Sequence, residues 1–524
     1  MANSMTITIP TKAPANSAAE TATVAKPTSH LPVKVMLVLL GIFISAMMAG
    51  LNNRVGALGL IDVRGALGFG VDGSSWVTTS YLAGELLITP FATWFAITLS
   101  IRRFHTYTVA LCAVIALILP FIHDLSLLIA LRFVQGMASG ALVPLLMMMA
   151  LKALPLHLRL HGLALYAMTA TFSPNIAIWL TGQWTDGFND WRLIYWQVIP
   201  LCVLAIGLVN AGLPKEEIKY PRFSQGNWLG MALGVVGMAL LTIALTQGVR
   251  LDWFNSTLIT LSLISGVILF SLYLLTEWYH PTPFIDLRLL GRRNLGLGAI
   301  IFTILLIVLM SATSLPLNFL AALQEYRIYQ SAQLGLIVAL PQLVLGSLVA
   351  LLLYKKWTDA RIVFSIGLLL IACACFFGAE LTAQWNREQF LIAQVLQAVG
   401  QPMAVVSMLF LMTSIVHHTE GPYFSGIINT LRVLGTLIGG ALVGHLLVIR
   451  GNFHTEMLIE HSTSSNTVFS ELSVPGLGQA IAQQSMTLSV ADIYRIFGVA
   501  ACLLIPLVLR MTHIPAPSAQ SNSN

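Results

Sequence analysis

The chain has 524 residues, 57% of them hydrophobic and only 9% charged, against about 25% charged in a soluble globular domain. That excludes a water-soluble enzyme or binding module and points to an all-α polytopic membrane protein. The formal charge of +6 therefore concerns orientation across a bilayer, and no nucleic-acid partner is implied.

Residues 1–34 are rich in Ser, Thr, Ala and Pro without apolar periodicity. They read as a disordered tail; a cleaved signal would begin with a basic stretch and an apolar core. A membrane helix needs ~20 mostly apolar residues. The first block, 35–213, offers six such spans near 35–57, 75–98, 105–122, 126–150, 161–184 and 193–213. The segment PKEEIKYPRFSQG (214–226) reads as a linker, and two further spans follow near 227–247 and 256–277. The last block, 278–511, holds spans near 296–321, 332–354, 362–380, 389–415, 422–448 and 491–511. Within it, residues 449–489 are polar and read as a long outer loop, and 512–524 as a second tail.

The basic residues test this count of fourteen. With both termini cytoplasmic, 17 of the 27 Lys and Arg fall in cytoplasmic segments and seven in outer ones, leaving Arg54, Arg132 and Arg432 inside spans. Cytoplasmic loops carry such an excess, which supports both termini inside; the expected location is the cell (inner or cytoplasmic) membrane, multi-pass. The five cysteines lie in apolar runs without zinc-site spacing, so neither a metal site nor a disulfide is expected.

Ionisable groups within spans are costly and mark functional sites by default. Of 21 acids, only Glu85 falls near mid-membrane, in YLAGELLITP (81–90). Thr78, Tyr81, Glu85 and Thr89 recur at three- and four-residue spacing, so they form one stripe on a helix. The stretch LRFVQGMASGALVP (131–144) puts Arg132, Gly136 and Gly140 on one face with Gln135 and Ser139 beside it, and small residues permit close helix approach. Asn52, Asn53 and Arg54 end the first span, Gln394, Gln397 and Gln401 share a face, and so do Asn429, Arg432 and Thr436. Plainer roles fit several of them: Arg54 paired with Asp62 at the outer interface, Arg432 snorkelling, the glutamines joining helices, and Glu85 with Arg132 as a structural buried pair.

RFVQGMASGALVP (132–144) resembles the fourth-helix motif of the fourteen-helix drug:proton antiporter branch of the major facilitator superfamily, the EmrB/QacA-like group. WRLIYWQVIP (191–200), LDWFNS (251–256), PTPFIDLRLLGRRN (281–294) and Asn429-Thr-Leu-Arg432 are similar to further stretches of that branch, and the likeness runs from about 35 to 511. It implies the major facilitator fold, two six-helix bundles around a central cavity plus two extra central helices, 14 spans in all. The departures are specific. The acid of the family's first-helix pattern is Asn52, the internal Gly-Pro of its fifth-helix antiporter motif is Ala177-Ile178, and the loop between helices two and three keeps only Ala96 and the basic pair Arg102 and Arg103.

Export against a gradient needs an energy source, and the chain has no G-x-x-x-x-G-K-[ST] nucleotide loop. Proton-motive force is then the economical source, and no cofactor is implied. The expectation is an efflux antiporter for drugs or amphipathic and organic-acid compounds. Glu85 would carry the proton and Arg132 tune it. Tyr81, Gln135, Asn175, Asn52, Arg54, Gln397, Gln401, Asn429 and Arg432 would line the substrate cavity. Several relatives in double-membraned bacteria work with a periplasmic adaptor and an outer-membrane channel, so the resemblance implies those partners beside the lipid bilayer, protons and a small-molecule substrate. Two other readings stay open: a transporter for one anionic metabolite, and a transport-dead membrane sensor or scaffold.

Overall fold

The computed structural model describes residues 33–461 and 474–516, and among them every regular element is helical. In chain order these are α1 (Val33–Leu58), α2 (Leu60–Leu67), α3 (Val71–Ile88), α4 (Ala92–Leu99), α5 (Ile101–Ile118), α6 (Leu125–Gly140), α7 (Leu142–Ala153), α8 (Leu156–Gly182), α9 (Leu193–Trp196) and α10 (Val198–Gly212). A second group follows: α11 (Trp228–Gln247), α12 (Thr257–Tyr279), α13 (Arg293–Val308), α14 (Met310–Leu323), α15 (Ile328–Leu353), α16 (Ala360–Gly378), α17 (Leu391–Thr413), α18 (Gly421–His461) and α19 (Val474–Leu509).

Among the described residues, thirteen continuous helical stretches are long and apolar enough to cross a membrane, and α3 with α4 makes a fourteenth, bent by 61°. The bend has a local cause. Pro90 has no amide to donate to the Leu86 carbonyl, and the preceding Thr89 hydroxyl back-bonds to the Glu85 carbonyl at 2.6 Å, a contact that often bends helices. The face where α1 begins is the basic one, since Arg102, Lys152, Lys219, Arg292 and Lys355 all lie there.

Helices α1–α10 form one bundle and α13–α19 a second, which meet along α8 with α15 and along α18 with α3, α4 and α7. Helix α11 packs on α3 and touches α18, while α12 packs on α11. The extra pair therefore lies outside the seam between the halves. Within each bundle small residues let backbones approach. A methyl on Gly84, Gly136 or Gly140 would strike a backbone carbonyl on the facing helix: Phe133, Tyr81 and Glu85 respectively. These three contacts fix the crossing of α3 with α6.

The expected outer loop 449–489 is instead helical wherever it is described. Helix α18 has 41 residues, ~61 Å at 1.5 Å per residue, about twice a ~30 Å hydrocarbon core. Its last third and the start of α19 project from the face opposite the basic one. Polarity suggested a loop, but the polar groups pair across the hairpin. Asp492 accepts from Arg450 at 2.5 Å and contacts His454 at 2.8 Å, and the Ser485 hydroxyl donates to the Gly451 carbonyl at 2.7 Å. Residues 462–473 lie outside the described residues, as do nearly all of the first tail and most of the second. The second tail starts bound: Thr512 donates from its amide (2.8 Å) and hydroxyl (2.7 Å) to Asn294. The 214–226 linker lies against α4, with Lys219 donating to the Thr98 carbonyl at 2.9 Å.

Candidate functional site

Glu85 sits in the middle of the fold, buried, with its backbone pressed on Gly140 of α6. Its carboxylate faces α1 and α18. Asn53 Nδ2 donates to Oε2 at 2.6 Å, and Arg432 Nη2 lies 3.8 Å from Oε1. Glu85 belongs to the first half and Arg432 to the second, so the ion pair spans the seam. With a charged acceptor and a bond of 2.6 Å, the Asn53 contact is of the stronger kind.

The pair lies on the wall of a cavity of about 60 Å³ that is also lined by Arg54, Thr169, Ser173, Asn175, Gln401 and Thr436, with apolar surface from Leu82, Leu306, Met310 and Val433. A second cavity of about 160 Å³ shares Arg54, Pro174 and Thr313 with it and continues toward the opposite face, past Ala57, Leu58, Ile178 and Leu317. Such volumes hold water or a small solute, whereas a drug-sized ligand needs ~300–1,000 Å³; the exposed Ala57 and Asn318 line the second cavity, so the site communicates with the opposite face.

Contacts between the halves close it toward the basic face and bridge them at the opposite one. Toward the basic face, Tyr166 donates to Asn429 at 3.0 Å, Ser425 to the Pro144 carbonyl at 2.6 Å and Thr93 to the Pro422 carbonyl at 3.1 Å. At the opposite face Arg327 reaches both Asp62 (2.9 Å) and Asp186 (2.5 Å).

The expected partnership of Glu85 with Arg132 does not form; the cation at Glu85 is Arg432. Arg132 stands a helical turn away and is 2% exposed. Its guanidinium lies over the Tyr81 ring at 4.3 Å and near Tyr195 at 5.6 Å, and donates to Gln135 (2.8 Å) and Asn52 (3.5 Å). The Tyr81 ring covers the cation, which aromatic faces attract. Asn52 in turn donates to the Tyr81 and Ser139 hydroxyls, each at 3.4 Å. Tyr81, Asn52, Gln135 and Arg132 thus form a buried cluster tying α1, α3 and α6 together, and none of them is among the residues lining the two cavities.

The other expected residues divide. Arg54, Asn175, Gln401 and Arg432 line the cavity. Arg54 faces both cavities and, among the described residues, has no hydrogen bond or ion pair; Asp62, its expected partner, is held by Arg327. Gln397 donates to Ser311 at 2.8 Å and accepts from Gln401 at 3.2 Å, while Gln394 reaches the Ala312 carbonyl at 2.9 Å. These two glutamines bind α17 to α14, and only Gln401 opens on the cavity. Asn429 closes the basic side beneath Arg432 and does not line it. Thr169, Ser173 and Thr313 were not anticipated. Thr169 and Ser173 stand four residues apart, so one polar face of α8 was readable from spacing.

The sequence matches the family model described as Major Facilitator Superfamily over residues 38–321 and 297–460. Among curated proteins, the chain is 27% identical to the fatty acid resistance protein FarB of Neisseria gonorrhoeae, covering 90% of this chain and 95% of that one. It is 26% identical to the probable multidrug resistance protein EmrY of Escherichia coli, covering 90% and 94%, and 22% identical to the multidrug export protein EmrB of the same species, covering 86% and 88%. Among solved structures, the proton:xylose symporter XylE superposes with a TM-score of 0.55 at 13% identity over 93% of this chain and 98% of that one. The transporter PepTSo of the POT family gives 0.55 at 14% identity over 92% and 98%. At such identities the structural likeness concerns fold alone.

Proposed function

The chain belongs to the major facilitator superfamily, a transporter rather than an enzyme, and from that membership we propose that it exports amphipathic small molecules, organic acids among them, in exchange for protons. The observation that carries the proposal is the Glu85–Arg432 pair, a protonatable contact joining the two halves beside the cavity. Two opposite charges 3.8 Å apart attract with on the order of 4 kcal/mol at an effective dielectric of ~20, before desolvation is counted. Protonating Glu85 removes that attraction and frees the halves to move. A cargo anion that engages Arg432 and the unpaired Arg54 removes it equally, by taking the cation. Either ligand opens the same lock, and alternating use of the two gives exchange.

Two guanidinium groups against one carboxylate leave the lining with a single positive charge, which a monoanionic cargo neutralises. The resistance and export names of FarB and EmrB agree with amphipathic cargo. The driving force is ~2.3 kcal/mol per charge per 100 mV. In this reading the basic face is cytoplasmic, the protein sits in a cell inner membrane with both termini inside, and the α18–α19 projection faces a periplasmic adaptor.

The test is Glu85→Gln in proteoliposomes, with a panel of anionic, cationic and neutral amphipaths. The expected outcome is loss of accumulation driven by a pH gradient, with gradient-free exchange retained. Undiminished gradient-driven accumulation would overturn the proposal. Damage confined to Asp62 or Asp186 variants would move the proton site to the Arg327 cluster.

A further inference from the structure

The extra pair α11–α12 stands outside both bundles, yet the chain leaving α12 runs back between them. Glu277, near the end of α12, is 1% exposed, and among the described residues it has no cation within ion-pair distance. Its carboxylate accepts from Asn227 Nδ2 at 2.9 Å, at the start of α11, and from the amides of Phe284 at 2.6 Å and Ile285 at 3.1 Å. A buried carboxylate is tolerated only when such donors are complete, so this group fixes the 281–286 segment against the end of the extra pair.

The two residues it fixes face different halves. The Phe284 ring packs edge-on against Phe91 (5.1 Å) and Trp94 (5.0 Å), at and just after the Pro90 bend of the first half. The Ile285 side chain lies against Gly426 of α18 in the second half, so closely that a methyl on Gly426 would stand 2.8 Å from it and 3.2 Å from the Pro90 carbonyl. Gly426 is three residues from Asn429, which receives the Tyr166 hydrogen bond closing the basic side of the cavity.

We propose that residues 281–286 are an interdomain strap, held in place by Glu277, through which the extra helix pair keeps the basic face of the transporter closed. Glu277 is a positioning residue: it touches neither cavity, and acts by holding Phe284 on the α3–α4 bend and Ile285 on α18 at once. Opening this face separates the bend from α18, so Ile285 must leave one of them. The inference stands on contacts between the halves and is independent of which ion or cargo drives the cycle.

Hydrogen–deuterium exchange on the full-length protein in nanodiscs tests it without a ligand. Glu277→Leu removes both acceptor oxygens and leaves the Phe284 and Ile285 amides without their partner, so the strap is released. The expected result is exchange at least tenfold faster in both 280–290 and 419–430, with the α8–α15 interface unchanged. Acceleration confined to 280–290 would show a local anchor only and overturn the proposal, as would no change in either segment. Ile285→Ala supplies the second measurement should Glu277→Leu fail to fold. It keeps all three bonds to Glu277 and deletes the contact with α18. Exchange should then rise in 419–430 while 280–290 stays protected, and unchanged 419–430 refutes the strap.

Discussion

Gly140→Ala asks whether the α3–α6 crossing sets the position of Glu85. A Cβ at residue 140 would lie 2.5 Å from the Glu85 carbonyl oxygen and 2.8 Å from its Cα, where ordinary contact begins at 3.4 Å. Both obstacles are backbone, which cannot rotate aside, so α3 must withdraw by about 0.9 Å at Glu85 itself. If that displacement is taken up along the Asn53 contact, 2.6 Å becomes about 3.5 Å, beyond the usual range of a hydrogen bond. Overpacking of this kind costs ~1–3 kcal/mol, and a hydrogen bond to a charged group is worth ~1.5–3 kcal/mol. The variant should therefore melt earlier and lose most gradient-driven transport. Gly440→Ala, where an added methyl meets nothing within 4 Å, should match the unsubstituted protein in both. The assay pairs thermal unfolding in detergent with transport in proteoliposomes. Wild-type stability and transport in Gly140→Ala, or equal damage in Gly440→Ala, would refute the reasoning.

Tyr166→Phe deletes the 3.0 Å hydrogen bond to Asn429 and keeps the ring. Losing ~1 kcal/mol from the closed basic side should shift the population toward the basic-open form about fivefold, read as the distance between spin labels placed on that face of the two halves; an unshifted distribution refutes it. At the same face, Arg292 forms a two-pronged pair with Glu420 at 2.5 and 2.8 Å and holds its carboxyl below the usual carboxylate range. A lowered acid stabilises the fold above its ordinary value of 4.5, and that contribution fades as pH falls through the lowered value. Arg292→Gln should thus destabilise the fold at neutral pH by no more than ~1 kcal/mol for so exposed a pair, seen as a slightly lower melting temperature, and the deficit should close on acidification. A deficit that grows on acidification contradicts the assignment.

Much of the fold was legible in the sequence because the bilayer writes a strong signal: spans of ~20 apolar residues and a basic bias in the loops that join them. Glu85 was legible for the same reason, as a charge in an apolar run. Its partner was not. Arg132 and Arg432 both lie in spans with glycine-rich faces, and only the packing of α18 against α3 decides that Arg432 reaches the carboxylate while Tyr81 covers Arg132. The outward projection of α18 and α19 was hidden because its polar residues satisfy one another across the hairpin, and Arg450 with Asp492 are far apart in the chain. Glu277 was hidden because a buried carboxylate near a helix end looks like an interfacial charge until the loop that donates to it is in place.

In the proposed mechanism Glu85 is the group whose protonation drives exchange. Proton flux shows this most directly: proteoliposomes holding a pH gradient and a pH-sensitive dye, challenged with an alkyl sulfonate, an amphipathic anion that carries no proton through lipid by itself. The expected result is cargo-dependent collapse of the gradient with the unsubstituted protein and none with Glu85→Gln, while sulfonate exchange without a gradient persists in both. Cargo-dependent proton flux of normal size in Glu85→Gln would contradict the claim.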